Sequence, residues 1–494
     1  MKRARGLLAI ALAGGVLAGC AVGPKYDRPS VQAPMAWRTE PTPPWQVASP
    51  RDAFPKGEWW AIFEDKTLND YERQLLSANE SLFAAKDRLA QARAAARISA
   101  AAYFPQLSTD LSAARERFSG NRLLMTAQPS QVVPDTENLF NIPFALTYEV
   151  DLFGRVRKNL EAANASLQST AADLQNVQLV LTAELAADYF SLRELDAEAE
   201  VVTESVAIQQ KGLDLVENRH KGGVASGLEA AQQASLLDAT KAQLSLVQQQ
   251  RDQFEHAIAV LTGNLASTFR VPVAALSSMP PAVPEAVPSE VLERRPDVAS
   301  AERTMAYQNT QVGIATTAFY PRITLSSFTG GLQSRDLSTL VSAPSAVWSI
   351  GADLLQPVFN GGRNRANLEF AKAGYDASVA NYRQTVLAAF QQVEDALSGL
   401  DTLATAAATQ HAAVEDSRRA LTIANNRYVG GVTTYLDVIT AQAALLSNQR
   451  LATQLLGQQM VTSVLLVKAL GGGWDASQLR LEQVRPQANQ ALQP

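Results

Sequence analysis

Apolar and polar side chains alternate over residues 144–152, and this period of two predicts a β-strand. One face is apolar or aromatic, whereas the other bears a threonine and two carboxylates. Such a pair of faces is typical of a membrane β-barrel strand, which has lipid on one side and water on the other. The alternative is a soluble hairpin packed on a core. The apolar face comprises Phe144, Leu146, Tyr148, Val150 and Leu152, and the polar face comprises Thr147, Glu149 and Asp151.

Three further segments show this alternation: residues 106–113, residues 322–328 more weakly, and residues 348–354. The chain therefore has about four strands, too few to close a barrel, and lipid would face unpaired backbone at the sheet edges. Closed outer-membrane barrels have roughly 8 to 26 strands. Closure thus requires a dimer at least, and a trimer with twelve strands is favoured. We expect Glu149, Asp151 and Asp353 to face the lumen.

Helical periodicity covers most of the remaining sequence, over residues 68–103, 155–220, 228–261 and 363–428. The two longest segments would each extend roughly 100 Å at about 1.5 Å per residue, far more than a globular domain requires. Apolar spacings of three and four predict coiled-coil packing, which builds walls and performs no chemistry. In residues 228–261 this seam comprises Leu236, Thr240, Leu244, Val247, Arg251, Phe254, Ile258 and Leu261.

Two similar glycine turns separate these helices, and the second lies 208 residues after the first, as Asn218 and Asn426 show. A pair of glycines ends one helix, and Ser226, or Thr433 or Thr434, is suited to cap the next. Repetition on this scale indicates a duplicated unit. The first turn contains Gly222, Gly223 and Val224, and the second contains Gly430, Gly431 and Val432.

The repeat defines the domain organisation. Repeat 1 covers residues 66–270 with a helix, two strands and a long helical hairpin, and repeat 2 covers residues 271–480 with the same plan. Pro296 and Asp297 are suited to the first turn of a helix in repeat 2. Residues 481–494 are expected to form a disordered tail.

The N-terminus has the pattern of a bacterial lipoprotein signal. Basic residues precede a short apolar segment, and Leu17-Ala18-Gly19-Cys20 matches a lipobox. We therefore expect residues 1–19 to be removed and Cys20 to carry a diacylglyceryl group and an N-acyl chain, which together anchor a protein stably. The alternative is an uncleaved apolar N-terminus. Residues 20–65, rich in proline and tryptophan, predict an extended arm lying along a larger body.

Composition narrows the class of function. The 494 residues include 43 basic and 48 acidic side chains, a net charge of −5, with no basic run that would suggest nucleic acid. The three histidines lack metal-ligand spacing, the only cysteine is Cys20, and a phosphate-binding glycine loop is missing. We therefore expect neither an enzyme nor a metal site or cofactor, and the energy for any transport must come from a partner.

Several motifs resemble the outer membrane factor family, the TolC-like exit ducts of tripartite efflux pumps, and in particular its OprM/NodT-type lipoprotein branch. The resemblance covers essentially the whole mature chain. Its most specific parts are Arg294-Arg295-Pro296-Asp297 and the doubled plan of strands, long helices and tips. The motifs are the lipobox followed by Val22-Gly23-Pro24-Lys25-Tyr26-Asp27-Arg28-Pro29, Trp59-Trp60-Ala61-Ile62-Phe63, Leu292-Glu293-Arg294-Arg295-Pro296-Asp297-Val298 and the two glycine tips.

The resemblance implies an α+β membrane protein: a homotrimer with a 12-stranded β-barrel in the Gram-negative outer membrane and an α-helical tunnel across the periplasm. It also implies docking to a periplasmic adaptor and to an inner-membrane transporter of the RND type. The implied function is passive conduction of drugs or other toxic small molecules to the exterior. Two alternatives stay open, an exit duct for protein secretion and a structural envelope trimer that conducts nothing.

The resemblance also suggests residue roles at the tips, because in this family the periplasmic end contacts the adaptor and is held shut by charged residues. Asp437 matches the TolC-like aperture position, whereas the OprM-like branch has its aspartate three residues later, where this chain has Thr440. Arg427 and Tyr428 are the candidate partners that hold Asp437. The alternative is a solvated first-turn acid. The tip glycines are expected to let an adaptor approach the backbone closely.

Overall fold

The computed structural model describes residues 22–29, 37–38, 57–117, 136–276, 280–281, 294–472, 474 and 483–487, without the side chains of residues 326–328. Cys20 and the predicted signal peptide lie outside these residues. Within the described part of the chain, no helix is both long and apolar enough to cross a membrane.

Long helices dominate the chain, and their lengths repeat. The helix before the first strands of each half has 22 residues, the long helix 67 and the return helix 35. The duplication predicted from the two tips is therefore confirmed. The helices are α1 Lys66–Ala78, α2 Glu80–Ala101, α3 Arg155–Lys221, α4 Gly227–Leu261, α5 Pro296–Thr317, α6 Arg363–Val429 and α7 Tyr435–Ala469.

The predicted helix over residues 68–103 is wrong in one respect, because it is broken at Asn79 between α1 and α2. Asn79 has an extended backbone, and its side chain accepts a hydrogen bond from the Leu82 N–H (3.0 Å) and donates one to the Leu261 carbonyl (2.8 Å). An asparagine can end a helix by competing for its backbone groups, without glycine or proline. Periodicity does not reveal such a break.

A matching contact closes the second half. Arg295, the residue before α5, donates to the carbonyl of Ala469 at the end of α7 (3.1 Å). In each half, the residue before the 22-residue helix thus satisfies a terminal carbonyl of the return helix. The following turns contain Gly263 and Gly471, both with positive φ, and a Cβ on either glycine would collide with the backbone just before the 22-residue helix, at Ala78 and Arg294 respectively. Only glycine fits these closures.

Among the residues that the structure describes, six strand segments form one antiparallel sheet with four strand positions. The two N-terminal segments both pair with β3, the two C-terminal segments both pair with β4, and the β3–β4 pair joins the two halves. The segments are β1 Gln106–Thr109, β2 Ser112–Arg117, β3 Thr136–Val150, β4 Arg322–Ser334, β5 Ala346–Ser349 and β6 Asp353–Leu355.

The strands differ from the predicted ones in their bounds. The strand expected over residues 106–113 is interrupted at Asp110, and the strand expected over residues 348–354 is interrupted around Gly351. Aspartate and glycine are poor strand residues. β3 runs without a break to Val150, two residues short of the predicted end at residue 152, and its pairing with β4 shifts register between Leu146 and Tyr148.

Residues 22–29 and 37–38 of the N-terminal arm lie along the body; that the whole arm does so stays a prediction. These residues start at the junction of β3 and α3 and reach α5 and then α6. The hydrogen bonds that hold these residues include Val22 N–H to Phe153 O (3.3 Å), Tyr26 hydroxyl to Glu302 (2.6 Å), Arg28 guanidinium to Tyr382 hydroxyl (3.2 Å) and Arg38 N–H to Glu394 (2.7 Å).

The predicted disordered tail is wrong for residues 483–487. The backbone of Val484 forms two hydrogen bonds with the Asn164 side chain on α3 (2.9 and 3.0 Å). A side-chain amide can satisfy both a backbone N–H and a carbonyl, and this pairing fixes the segment on the helix. The sequence gives no periodic signal for such a contact.

Buried charges attach the linker after α4 to the helical hairpin. Arg251 bridges Asp196 on α3 (2.6 Å) and Glu255 on its own helix (2.9 Å), and these three side chains are almost fully buried. The guanidinium also donates to the Val271 carbonyl (2.7 Å), while Glu255 accepts the Val271 N–H (2.9 Å). The network fixes the start of the linker that connects the two halves.

Replacing Arg251 with methionine should destabilise the protein, because Asp196 and Glu255 would lose a buried cation. We expect a loss of about 3 kcal/mol, observed as a lower midpoint of thermal unfolding in detergent. The matched control is Arg418→Met, which removes an exposed pair with Glu415 and should cost less than about 0.5 kcal/mol. Equal midpoints for the two variants would contradict this assignment.

Candidate functional site

The first tip is a glycine-terminated turn between α3 and α4. The Val224 N–H donates to the Arg219 carbonyl (2.8 Å), the six-to-one bond of a Schellman motif. Gly223 has a φ of +75°, in the left-handed region that favours glycine. Ser226 then caps α4 as predicted, since its hydroxyl accepts the Glu229 N–H (3.3 Å).

The second tip repeats this turn between α6 and α7, with Gly431 at a φ of +73°. Thr434 is the residue before α7, but its side chain forms no capping hydrogen bond. The Thr433 hydroxyl instead donates to the carboxylate of Asp437 in the first turn of the helix. Thr440 is exposed and donates to a carbonyl of its own helix (2.8 Å).

One aromatic side chain links the two tips. The Tyr428 hydroxyl, at the end of α6, donates to the Glu229 carboxylate at the start of α4 (3.2 Å). The guanidinium of Arg219 lies over the Tyr428 ring, 4.6 Å from its centroid, and the ring of Tyr435 packs edge-on at 4.8 Å. We call these four residues the tip joint. The tip joint connects the ends of α3 and α6 with the starts of α4 and α7.

The tip joint lies in an apolar environment that keeps its phenols neutral. Burial is the main cause that raises the pKa of Tyr428, followed by the Glu229 carboxylate. Burial also raises the pKa of Tyr435 to about 12. The Tyr428 hydroxyl therefore remains a donor at physiological pH. Around the rings lies a cluster that includes Val216, Val414, Leu421, Val438 and Leu445.

The predicted aperture residues are close in space but are not paired as expected within one chain. Tyr428 bonds to Glu229 and not to Asp437. Arg427 is exposed, and within the described tips no ion pair joins it to Asp437. Sequence reasoning missed Glu229 as a functional residue. The signal was present, because Glu229 occupies the position in repeat 1 that Asp437 occupies in repeat 2.

Each tip presents one exposed valine beside an open turn backbone. Val224 and Val432 are each 70% exposed. A Cβ added at Gly223 or Gly431 would contact nothing, so space surrounds the turn backbone. Exposed aliphatic side chains beside accessible backbone are suited to a protein contact. The roles of Gly222 and Gly430 in docking stay predictions.

The carboxylates expected in the lumen lie at or near the junction of strands and helices. Glu149 pairs with Arg155 (2.7 Å), and Asp151 accepts the Val156 N–H at the start of α3 (2.9 Å). An acid at a helix N-terminus stabilises it. Asp353 is exposed on β6. The lumenal orientation of all three carboxylates stays a prediction.

The chain has clear relatives. The model of the outer membrane efflux protein family matches residues 73–264 and 287–472, one segment in each half. The chain belongs to this family. The pyoverdine export outer membrane protein OpmQ of Pseudomonas aeruginosa is 31% identical over 93% of this chain and 95% of its own. The solvent efflux pump outer membrane protein SrpC of Pseudomonas putida is 30% identical over 94% and 97%.

Solved structures agree. The outer-membrane channel OprN superimposes with a TM-score of 0.84 and 31% identity, over 92% of this chain and all of that chain. This outer membrane efflux protein is therefore an exit duct of an efflux pump in the Gram-negative outer membrane, and it is a channel, not an enzyme. The family resemblance and the fold class inferred from the sequence are confirmed.

Replacing Tyr428 with phenylalanine should loosen the closed channel of this efflux protein. The variant loses one hydroxyl bond, worth about 1 kcal/mol, but keeps the ring on Arg219 and Tyr435. We expect the open probability in planar bilayers to rise about fivefold. Thr422→Val, which loses only the intrahelical bond from the Thr422 hydroxyl to the Arg418 carbonyl (3.0 Å), should leave it unchanged. If Tyr428→Phe has the same open probability as the unmodified protein, the tip joint does not hold the channel closed.

Proposed function

We propose that three copies of the chain assemble into the duct, with four strand positions each in a shared 12-stranded barrel and with the long helices as the periplasmic tunnel. The observation that carries this proposal is the open sheet. Among the described residues, β1 and β2 pair only with β3, and β5 and β6 pair only with β4. Two backbone edges therefore require partners, and further copies of the chain supply them.

The exposed side chains of the sheet support a lipid contact. Large apolar residues on the strands and beside them are open to the outside: Leu107 (67%), Phe144 (47%), Trp348 (76%), Ile350 (74%) and Leu354 (64%). An aromatic and aliphatic belt of this kind is characteristic of barrels in the outer membrane.

The N-terminal arm supports the lipid anchor on Cys20. Val22, two residues later, is bonded to Phe153 at the junction of strand and helix. An acyl chain attached at Cys20 would therefore start next to the sheet, on the side from which the helices leave. This position suits a lipid in the inner leaflet of the outer membrane.

The tips, at the far ends of the 67-residue helices, are the proposed docking site of a periplasmic adaptor, which links the duct to an inner-membrane transporter of the RND type.

We propose small organic molecules as the cargo, in line with relatives that carry pyoverdine and solvents in their names. Conduction by the duct can be tested without an adaptor or a transporter. Purified protein reconstituted in a planar bilayer should show ion conductance.

Asp437→Ala should lower the cation preference of the channel, because three carboxylates around one aperture favour cations. The measurement is the reversal potential and single-channel conductance in a salt gradient. Asp416→Ala removes another exposed carboxylate, on α6, and serves as the control. If conductance and cation preference are both unchanged in Asp437→Ala, this carboxylate does not line the aperture.

Bulky side chains at the tips should abolish efflux while trimers persist. Gly222 and Gly430 have ordinary negative φ values (−79° and −73°), so they tolerate a side chain without the strain expected at the glycines that follow them. We expect Gly222→Phe with Gly430→Phe to restore drug accumulation to that of a strain without the duct. The alanine pair adds only a Cβ and should retain efflux. Efflux by the phenylalanine pair would place docking elsewhere.

A further inference from the structure

A cavity of about 210 Å³ lies where three distant parts of the chain meet, and none of its described lining residues belongs to the sheet or to a tip. Its walls come from the short 3₁₀-helix Trp59–Phe63, from one stretch of α3 and from the turn that follows α7. This turn packs directly on α3, because Gly472 has a φ of +58° and a Cβ there would collide with the Leu179 side chain. The cavity therefore forms where the end of repeat 2 meets repeat 1.

Three indole rings line the cavity, those of Trp59, Trp60 and Trp474. Trp59 and Trp60 meet edge-on, with 5.9 Å between their ring centroids, and form an aromatic corner. The Trp59 N–H donates to the Thr182 hydroxyl (3.1 Å). The N–H groups of Trp60 and Trp474 are also buried, but within the described structure neither has a hydrogen-bond acceptor. A buried indole N–H normally has a partner, so two unpaired donors at one cavity point to an acceptor that binds there.

The polar side chains of the cavity come from α3. Gln175 and Gln178 line it, and among the described residues their side-chain amides form no hydrogen bond. Each amide offers both a carbonyl oxygen and an NH₂ group. None of the described lining residues is charged. An ion in the cavity would therefore lose its hydration without gaining a counter-charge, and this disfavours charged ligands.

We propose that the cavity is a binding site for a small neutral molecule with a flat apolar body and a carbonyl or hydroxyl oxygen. The indole rings pack against the apolar body, as aromatic side chains do in many small-molecule sites. The oxygen accepts hydrogen bonds from Trp60 and Trp474, and the glutamine amides bind the remaining polar groups of the ligand. Water would satisfy the two N–H groups but would face mainly indole rings, which favours an occupant with an apolar body.

A ligand in this cavity would contact all three segments at once. It would hold the 3₁₀-helix and the turn after α7 against α3, and would thus stabilise the junction of the two repeats. A molecule that binds only the folded protein raises its stability by mass action. Occupancy should therefore raise the midpoint of thermal unfolding, an effect that is independent of conduction through the duct.

Two aromatic probes test this site in the intact protein in lipid nanodiscs. Benzamide is neutral and has a carbonyl oxygen, whereas toluene has the ring without an acceptor. Their dissociation constants are measured by ligand-observed NMR, with empty nanodiscs as the reference for partitioning into lipid. Trp474→Phe keeps an aromatic ring but loses the N–H, so it should weaken benzamide binding about fivefold and change toluene binding less than about twofold. The control is Trp37→Phe, which alters a ring packed edge-on against Phe390 and should change neither constant.

Three results would overturn the inference. One is the absence of saturable benzamide binding, as expected if the cavity holds only water. Another is an equal effect of Trp474→Phe on the two probes, since the N–H would then take no part in recognition. The third is binding of the benzoate anion as tight as that of benzamide. If Trp474→Phe does not fold, Gln178→Met provides the same comparison, because it removes the amide and keeps the length of the side chain.

Discussion

The ends of the helices are the constraint on which the rest of this duct depends. A 67-residue helix leaves unsatisfied carbonyls wherever it stops, and a second helix must return beside it. The long helices and the return helices all end in the same way, at a turn with a glycine in the left-handed region. These glycines are Gly223, Gly263, Gly431 and Gly471. Two of these glycines make the tips, and the other two lie against the backbone of Ala78 and Arg294, just before α2 and α5. The spacing of the helices, and therefore the position of every seam residue, follows from these four turns.

The two repeats have helices of equal length, as expected of a duplicated unit. They differ in the side chains at their tips. The helical lengths have stayed equal, because a change in one would displace a tip from its partner. The side chains at the tips have diverged instead. Tyrosine stands at 428 and 435 where repeat 1 has histidine and glycine. The two tips thus share a backbone conformation and differ in their side chains.

The sequence predicted the long elements well and the local interruptions poorly. The helices expected over residues 155–220 and 363–428 end within a residue of the observed ones, because glycines and a long period mark them clearly. All eight predicted seam residues of α4 are buried or half-buried. The break at Asn79 and the docking of Val484 were missed, since both depend on side-chain hydrogen bonds to backbone that is distant in sequence. The tip joint was partly predicted: Tyr428 was identified, but its partner lies in the other repeat.

The length of the helices determines how far their tips move when the helices tilt. The sheet lies at one end of α3 and α6, and the tips lie roughly 100 Å away. Such a helix acts as a lever: tilting it by about 5° moves its far end by about 9 Å while the strands at its base shift very little. The channel therefore needs no hinge at the aperture. A small change in the packing angle of the hairpins, spread over many seam contacts, is enough to widen the opening by the width of a small organic molecule.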